Sequence, residues 1–311
     1  MKNASVRNWV PALIVALTAA GVLAADKPLT KQRLSETSLP LLSPDYSAND
    51  AAIDVSPGTK ELYSKIVTSM RDVDPATAIA QLAEYFLGTP YAAYSLDKSE
   101  TERLRIDFIT FDCMLFVEQL LSISVSNDWK SFVENTTKLR YQNSDVNYCS
   151  RHHYFQDWAA SAESHGWIKD ITNQIPGHQT RHLKLTFMSK NPNLYAPLKT
   201  PKNFKCIQEK ESKSKVIQNY IPNGTLQEAT NYFRNGDIFA VATSLDKLDV
   251  THMGIVVTDK QSVSAIHAVP SMGVIRSVPF STYVKGVPDS VGVVILRPRS
   301  RKDFIQEQPK T

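Results

Sequence analysis

The stretch Thr110-Phe111-Asp112-Cys113-Met114-Leu115-Phe116-Val117-Glu118-Gln119-Leu120 reads as a short turn that runs into an amphipathic helix and sets a cysteine in its first turn. Leu115, Phe116, Leu120 and Ile123 fall at mostly helical spacing, and Thr110 or Asp112 can supply the side-chain oxygen that caps the first free amides. Those amides and the helix dipole favour negative charge. A thiol placed there is expected to ionise more easily than a free one, whose pKa is about 8.5. Cys113 is therefore a candidate nucleophile. A cysteine flanked by Phe and Leu is equally suited to an inert core position, so residues elsewhere in the chain must decide between the two.

Working outward, residues 1–24 have the pattern of a secretory signal peptide. Lys2 and Arg7 form the positive start, Trp9 to Leu23 the apolar run, and Val22-Leu23-Ala24 the small-residue site, with cleavage expected after Ala24. An uncleaved anchor is the competing reading. No later run approaches the roughly 18 apolar residues of a membrane span, so no stable span is expected after cleavage. The formal net charge is +4, and removing Lys2 and Arg7 halves it, a balance that does not point to nucleic acid. Export places the three cysteines where thiols oxidise, and an odd count leaves one over. Cys149 and Cys206 are read as either a disulfide or two incidental thiols, with Cys113 free.

Residues 25–56, rich in Pro, Ser, Asp and Asn, read as an extended lead segment on the surface. Helices are expected at about Lys60 to Met70, from Asp74-Pro75 to Gly88, from Trp129 to Leu139, and from Ser150 to about His165. Lys184 to Met188 reads as a short strand, and Lys199 to Lys215, with six lysines, as a solvated face. Leu226 to Phe233 looks helical. Strands follow at Ile238 to Val241, His252 to Thr258, Val263 to Val269 and Val291 to Arg297. Helices first and an antiparallel sheet afterwards predict an α+β fold.

A catalytic cysteine needs a base within hydrogen-bond reach and a third group to orient that base. His252 opens one predicted strand, with Gly254 next along its face to permit close approach. His267 lies in the following strand, so the two imidazoles can meet. His252 is the expected base and His267 its orienter, although each alone also fits a satisfied core histidine. His152 and His153 are adjacent and point in different directions on a helix, and no further spacing completes a metal site.

Several pieces in this order resemble a known family: Phe86-Leu87-Gly88-Thr89-Pro90-Tyr91; Phe111-Asp112-Cys113 with Phe116-Val117-Glu118; Ser150-Arg151 with His153-Tyr154 and Asp157-Trp158; Asn235-Gly236-Asp237; and Thr251-His252-Met253-Gly254. Together they are similar to the bacterial N-acetylmuramoyl-L-alanine amidase-like family, within the NlpC-like group of papain-fold cell-wall cysteine hydrolases. The resemblance runs from about residue 60 to 298. It implies a papain-like (NlpC-like) α+β domain over 57–300, with an insertion at about 141–225 and a tail at 301–311.

The resemblance also implies an exported, periplasmic or secreted, amidase that cuts the bond between N-acetylmuramic acid and L-alanine in peptidoglycan or muropeptides. Cys113, His252 and His267 would be catalytic, with no metal and no cofactor required. Tyr91 would donate to an oxyanion or to substrate, unless its ring only packs on the helix. Arg151 and His153 would bind a peptide carboxylate or a sugar oxygen, unless Arg151 closes an internal ion pair with Asp157. The chain departs from the pattern at Met114 and Leu115, where small residues are usual. Two other readings follow from the same group: a stem-peptide endopeptidase, and an inactive wall-binding protein.

Overall fold

The computed structural model describes residues 53–97, 101–259 and 262–300. The expected signal segment, most of the lead segment and the tail at 301–311 lie outside the described residues. The end of the lead segment does not simply lie on the surface. It forms β1 (Ile53–Val55), paired in parallel with β2 (Leu104–Ile106).

Four helices build the first half. They are α1 (Thr59–Met70), α2 (Pro75–Tyr85), α3 (Cys113–Ser124) and α4 (Trp129–Arg140). Proline at the first position sets φ for α2, while Asp74 ahead of it makes no capping side-chain bond. Asp128 and Ser131 start α4 with a reciprocal capping box. The helix at the centre, α3, differs from expectation. Every residue from Leu115 to Ser124 is buried, so it is a core helix rather than an amphipathic one, packed among α2, α4 and the sheet. Its one charged side chain, Glu118, is 1% exposed and accepts from Arg140 Nε at 2.8 Å and from Nη2. The remaining Arg140 donor goes to the Arg105 carbonyl at 2.7 Å. A buried charge of this kind is tolerable only when fully paired.

The second half supplies α5 (Phe155–Ser164), β3 (Ile168–Asp170), β4 (Gln179–Leu183), α6 (Phe187–Lys190), α7 (Pro201–Lys213) and β5 (Val216–Pro222). After these come α8 (Leu226–Ala229), β6 (Ile238–Thr243), β7 (Val250–Thr258), β8 (Val263–Val269), β9 (Gly273–Ser277), α9 (Phe280–Gly286) and β10 (Ser290–Pro298). The main sheet runs β4-β5-β10-β6-β7-β8-β9, with β3 also on β10, and its pairs are antiparallel. The chain is thus a mixed α+β protein. On one sheet face Ile238, Ala240, Met253, Ile255 and Ile266 meet the helical core. On the other, Phe239, Val241, Val256 and Ala265 meet Phe280 and Val284 of α9.

The strand expected at Lys184 to Met188 is displaced. The strand is β4, just upstream, and Phe187–Lys190 is a helical turn. β4 is a polar edge strand of Gln, Thr, Arg and His, recognisable only through its pairing with β5. The apolar residues that suggested a strand, Leu185, Phe187 and Met188, belong instead to a separate cluster with Tyr148, Tyr154 and Ile207. The lysine-rich run forms α7, where only Ile207 and Glu211 are buried.

Cys149 and Cys206 form a disulfide with Cα atoms 5.9 Å apart, and Cys113 is the free cysteine. The bridge spans 57 residues and pins α7 to the turn after α4. Replacing both bridge cysteines with serine is expected to cost about 2 kcal/mol of stability by relaxing the unfolded chain. Thermal melting with limited proteolysis checks this. Cleavage should appear first between residues 141 and 225, and an unchanged melt with unchanged resistance would show that the bridge carries no load.

Candidate active site

The turn before Cys113 is held by one carboxylate. Asp107 Oδ1 accepts from the Ile109 amide at 2.8 Å and the Thr110 amide at 3.1 Å, while Oδ2 accepts from the Thr110 hydroxyl at 2.9 Å and from Arg105 at 2.8 Å. These bonds hold the Asp107 carboxyl below its ordinary pKa against the burial that would raise it. Of the two capping candidates, Asp112 caps the helix, accepting from the Leu115 amide at 2.7 Å. Met114 is partly buried against the main core and Leu115 is fully buried, so the two atypical residues serve packing.

Tyr91 is strapped beside this turn. The Phe111 amide donates to the Pro90 carbonyl and the Ala92 amide to the Phe111 carbonyl, each at 3.0 Å. The same strap is clamped to β9, where Gly88 N donates to Val274 O and Val274 N to Thr89 O, both at 2.8 Å. Gly273 makes the clamp possible: at φ +76° any Cβ would lie 2.3 Å from the Thr89 carbonyl oxygen. Burial raises the Tyr91 hydroxyl pKa, and the nearby Cys113 and Asp112 charges raise it further.

From the sheet side, the Met253 amide favours the ionised form of Cys113. One residue earlier on β7, His252 Nε2 lies 3.0 Å from His267 Nδ1 on β8. His267 Nε2 in turn lies 2.9 Å from Ser277 Oγ on β9. Extending the register Ile255↔Ile266 by one residue sets Gly254 opposite His267. The two histidines are therefore diagonal neighbours, and the His267 ring crosses above Gly254 to meet His252.

The electrostatics reverse one expectation. Burial pushes the Cys113 thiol up to about 12, and the Asp112 carboxylate adds to the rise. The amides of Met253, Cys113 and Met114 pull the other way and lose. The helix-start effect is present in sign, but removing the thiolate from water costs more. Burial also lowers His252 to about 4 and lowers His267 well below its ordinary value, with the His252 charge adding to the latter. Asp112 is raised to about 6 by burial against its bond from Leu115. At neutral pH the thiol and both imidazoles are uncharged.

Arg151 and His153 are engaged elsewhere. Arg151, 5% exposed, pairs with Asp97 and Glu102 rather than Asp157, donates to the Leu96 carbonyl, and stacks 4.8 Å over the Tyr148 ring. It ties Leu96, Asp97 and Glu102 to the turn after α4. His153 Nε2 donates to the Tyr148 carbonyl at 2.7 Å. His153 also borders a cavity of about 1000 Å³ with His152, Asp157 and Lys210, which Cys113, His252 and His267 do not line. Among the described residues no group of three or more His, Cys, Asp or Glu converges on a metal position, and no helix is long and apolar enough to cross a membrane.

Sequence reasoning missed Ser277 and Tyr283. Ser277 follows from strand register once β9 is known, because Ala265 pairs with Ser277 and His267 with Ile275. Tyr283, on α9, carries no sequence signal that links it to a histidine sixteen residues earlier.

The antiparallel α+β frame carries a free cysteine at one helix start and a bonded histidine pair on its sheet, and the family match places the chain among hydrolases. Comparison narrows the class. Residues 81–293 match the family model described as AmiA-like, N-acetylmuramoyl-L-alanine amidase-like. The chain belongs to this N-acetylmuramoyl-L-alanine amidase-like family. It is 28% identical to an N-acetylmuramoyl-L-alanine amidase from Bacteroides uniformis, with a TM-score of 0.68 over 72% of this chain and 99% of that one. A putative xylanase from Bacteroides fragilis is 30% identical, with a TM-score of 0.64 over 70% and 99%. A Legionella pneumophila protein, 20% identical with a TM-score of 0.62 over 78% and 95%, shares the fold. No curated protein matches the chain.

Proposed function

We propose that the protein is an exported cysteine amidase with a papain-like (NlpC-like) domain, which hydrolyses the amide between N-acetylmuramic acid and L-alanine in peptidoglycan or muropeptides. One observation carries the reading. The Met253 amide of β7 favours the ionised form of the free thiol at the start of α3, and His252, one residue earlier on that strand, is bonded at 3.0 Å to His267. The disulfide supports an oxidising compartment, in line with removal of residues 1–24 on export.

With Nε2 of His252 engaged by His267, Nδ1 is the nitrogen left to act as base. Nδ1 takes the thiol proton as sulfur attacks the amide carbonyl, while Nε2–H donates to His267 Nδ1 and His267 Nε2–H to Ser277. Amides at the helix start and the Tyr91 hydroxyl stabilise the tetrahedral oxyanion. Its collapse breaks the C–N bond, and His252 hands its proton to the leaving amine of L-alanine. Water, deprotonated by His252, then cleaves the thioester, which frees the muramic carboxylate and restores the thiol.

Digestion of purified muropeptides with mass analysis tests the bond. Release of the intact peptide from the sugar is expected, and a shortened stem would replace this reading with that of an endopeptidase. The pH profile tests the pair. Because the buried imidazole charges only near pH 4, kcat/KM is expected to stay level at neutrality and to fall about tenfold per unit below about pH 4. A limb near 6.5 would contradict the buried pair. The same shift links to folding. The unfolded chain binds the proton at about 6.5 and the folded chain at about 4, so stability should decline as pH falls through that window and level off beneath it.

A further inference from the structure

Two polar groups converge on one nitrogen of His267. Tyr283 of α9 lays its ring against His267, with centroids 4.2 Å apart and planes tilted by 32°. Its hydroxyl lies 3.3 Å from His267 Nδ1, the nitrogen that His252 Nε2 approaches at 3.0 Å. The Tyr283 ring also sits 6.4 Å from that of His252 and 6.0 Å from that of Phe239. Burial raises the pKa of this hydroxyl well above its ordinary value, and a thiolate at Cys113 would raise it further. A ring nitrogen accepts hydrogen bonds only while it lacks a proton. His267 can therefore receive His252 Nε2–H, and leave Nδ1 of His252 free as base, only as a neutral ring with Nδ1 bare.

We propose that Tyr283 is a positioning residue that keeps His267 in that neutral, Nδ1-accepting form, and through it sets which nitrogen His252 presents to Cys113. The inference rests on the reading of Cys113, His252 and His267 as the working groups. Two features of Tyr283 act together. Its ring covers the imidazole and keeps water from solvating a charge there. Its hydroxyl shares the Nδ1 lone pair with the His252 N–H as the longer arm of a three-centre bond, and protonation of His267 would destroy both arms, so the contact favours the neutral ring.

The groups packed around His267 leave this task to few others. β7 brings His252, β9 brings the Ser277 hydroxyl on Nε2, and β6 brings the apolar Phe239 ring at 6.5 Å. α3 brings Cys113, which as a thiolate would raise the pKa of the Tyr283 hydroxyl. Arg276, next to Ser277 on β9, is paired with Glu84 of α2 and bonded to Ser264.

Two variants of the full chain separate hydroxyl from ring. Tyr283→Phe removes the donor and keeps the cover, whereas Tyr283→Leu removes both. His252 and His267 titrate as a coupled pair, so losing the donor on His267 should move the acid limb of kcat/KM up by about one pH unit in Tyr283→Phe and further in Tyr283→Leu. The plateau should fall about tenfold, mostly in kcat, because Tyr283 is assigned no contact with substrate. The rate of Cys113 alkylation by iodoacetamide against pH should show the same shift without any wall substrate. If Tyr283→Leu does not fold, Tyr283→Phe decides alone. An unmoved acid limb in Tyr283→Phe, with or without a uniform loss of rate, overturns the proposal and leaves Tyr283 as packing. Hydrolysis retained by Cys113→Ala would instead overturn the underlying reading, so the two failures are distinct.

Discussion

Cys113→Ala is expected to lower amide hydrolysis by on the order of 10⁴-fold or more while leaving the melting temperature within about 2 °C of the parent. The asymmetry follows from where the sulfur sits. Cys113 is only partly buried, at the first turn of α3, and it touches the edge of the main core rather than filling it. Removing one sulfur atom there leaves little cavity. The helix cap at Asp112 and the bonds of Asp107 are untouched, so the frame around the site should persist. The chemistry has no substitute among the described residues, because the other two cysteines are joined in the disulfide. Residual hydrolysis within tenfold of the parent would remove Cys113 from the mechanism. Equal binding of wall fragments by parent and variant, with no cutting by either, would favour a binding protein on this scaffold.

What could be read from the sequence was local. A capped helix start, a histidine in a strand and a glycine two residues on are short-range patterns, and they led to Cys113, His252, His267 and Gly254. The features that were misread depend on distant parts of the chain. The thiol pKa is one such case: the helix-start amides can be inferred from neighbours, but the larger effect is burial, which depends on how the rest of the chain packs around the sulfur. Arg151 is another. Its carboxylates, Asp97 and Glu102, lie 54 and 49 residues away, and no spacing rule points to them over the nearby Asp157. β9 escaped notice because it is five residues long and follows a turn with positive φ at Ser271 and Gly273. With β9 went Ser277, and the approach of α9 to His267 could not be anticipated.

Gly254→Ala is expected to reduce kcat/KM on the order of 10²-fold and to destabilise the fold by about 1–3 kcal/mol. The substitution adds one carbon at a confined point between β7 and β8. A Cβ there would stand 2.7 Å from His267 Cβ, 2.7 Å from the Ile266 carbonyl oxygen and 2.8 Å from Phe239 Cε1. The carbonyl belongs to β8, so it moves only if the β7–β8 ladder moves. Phe239 is fully buried against Phe280 and Tyr283, and it has no room to withdraw. His267 is the group that can yield, and its displacement breaks the 3.0 Å bond to His252. The loss should therefore fall mainly on kcat, as it does when a base is left without its orienter. Gly224→Ala is the matched control. Gly224 is exposed and nothing lies within 4 Å of its added carbon, so both quantities should hold. If Gly254→Ala melts and turns over like the control, close contact between the two imidazoles is not what the glycine provides. If it loses stability but keeps its rate, the glycine serves the sheet, and the histidine pair needs less precision than the proposed relay requires.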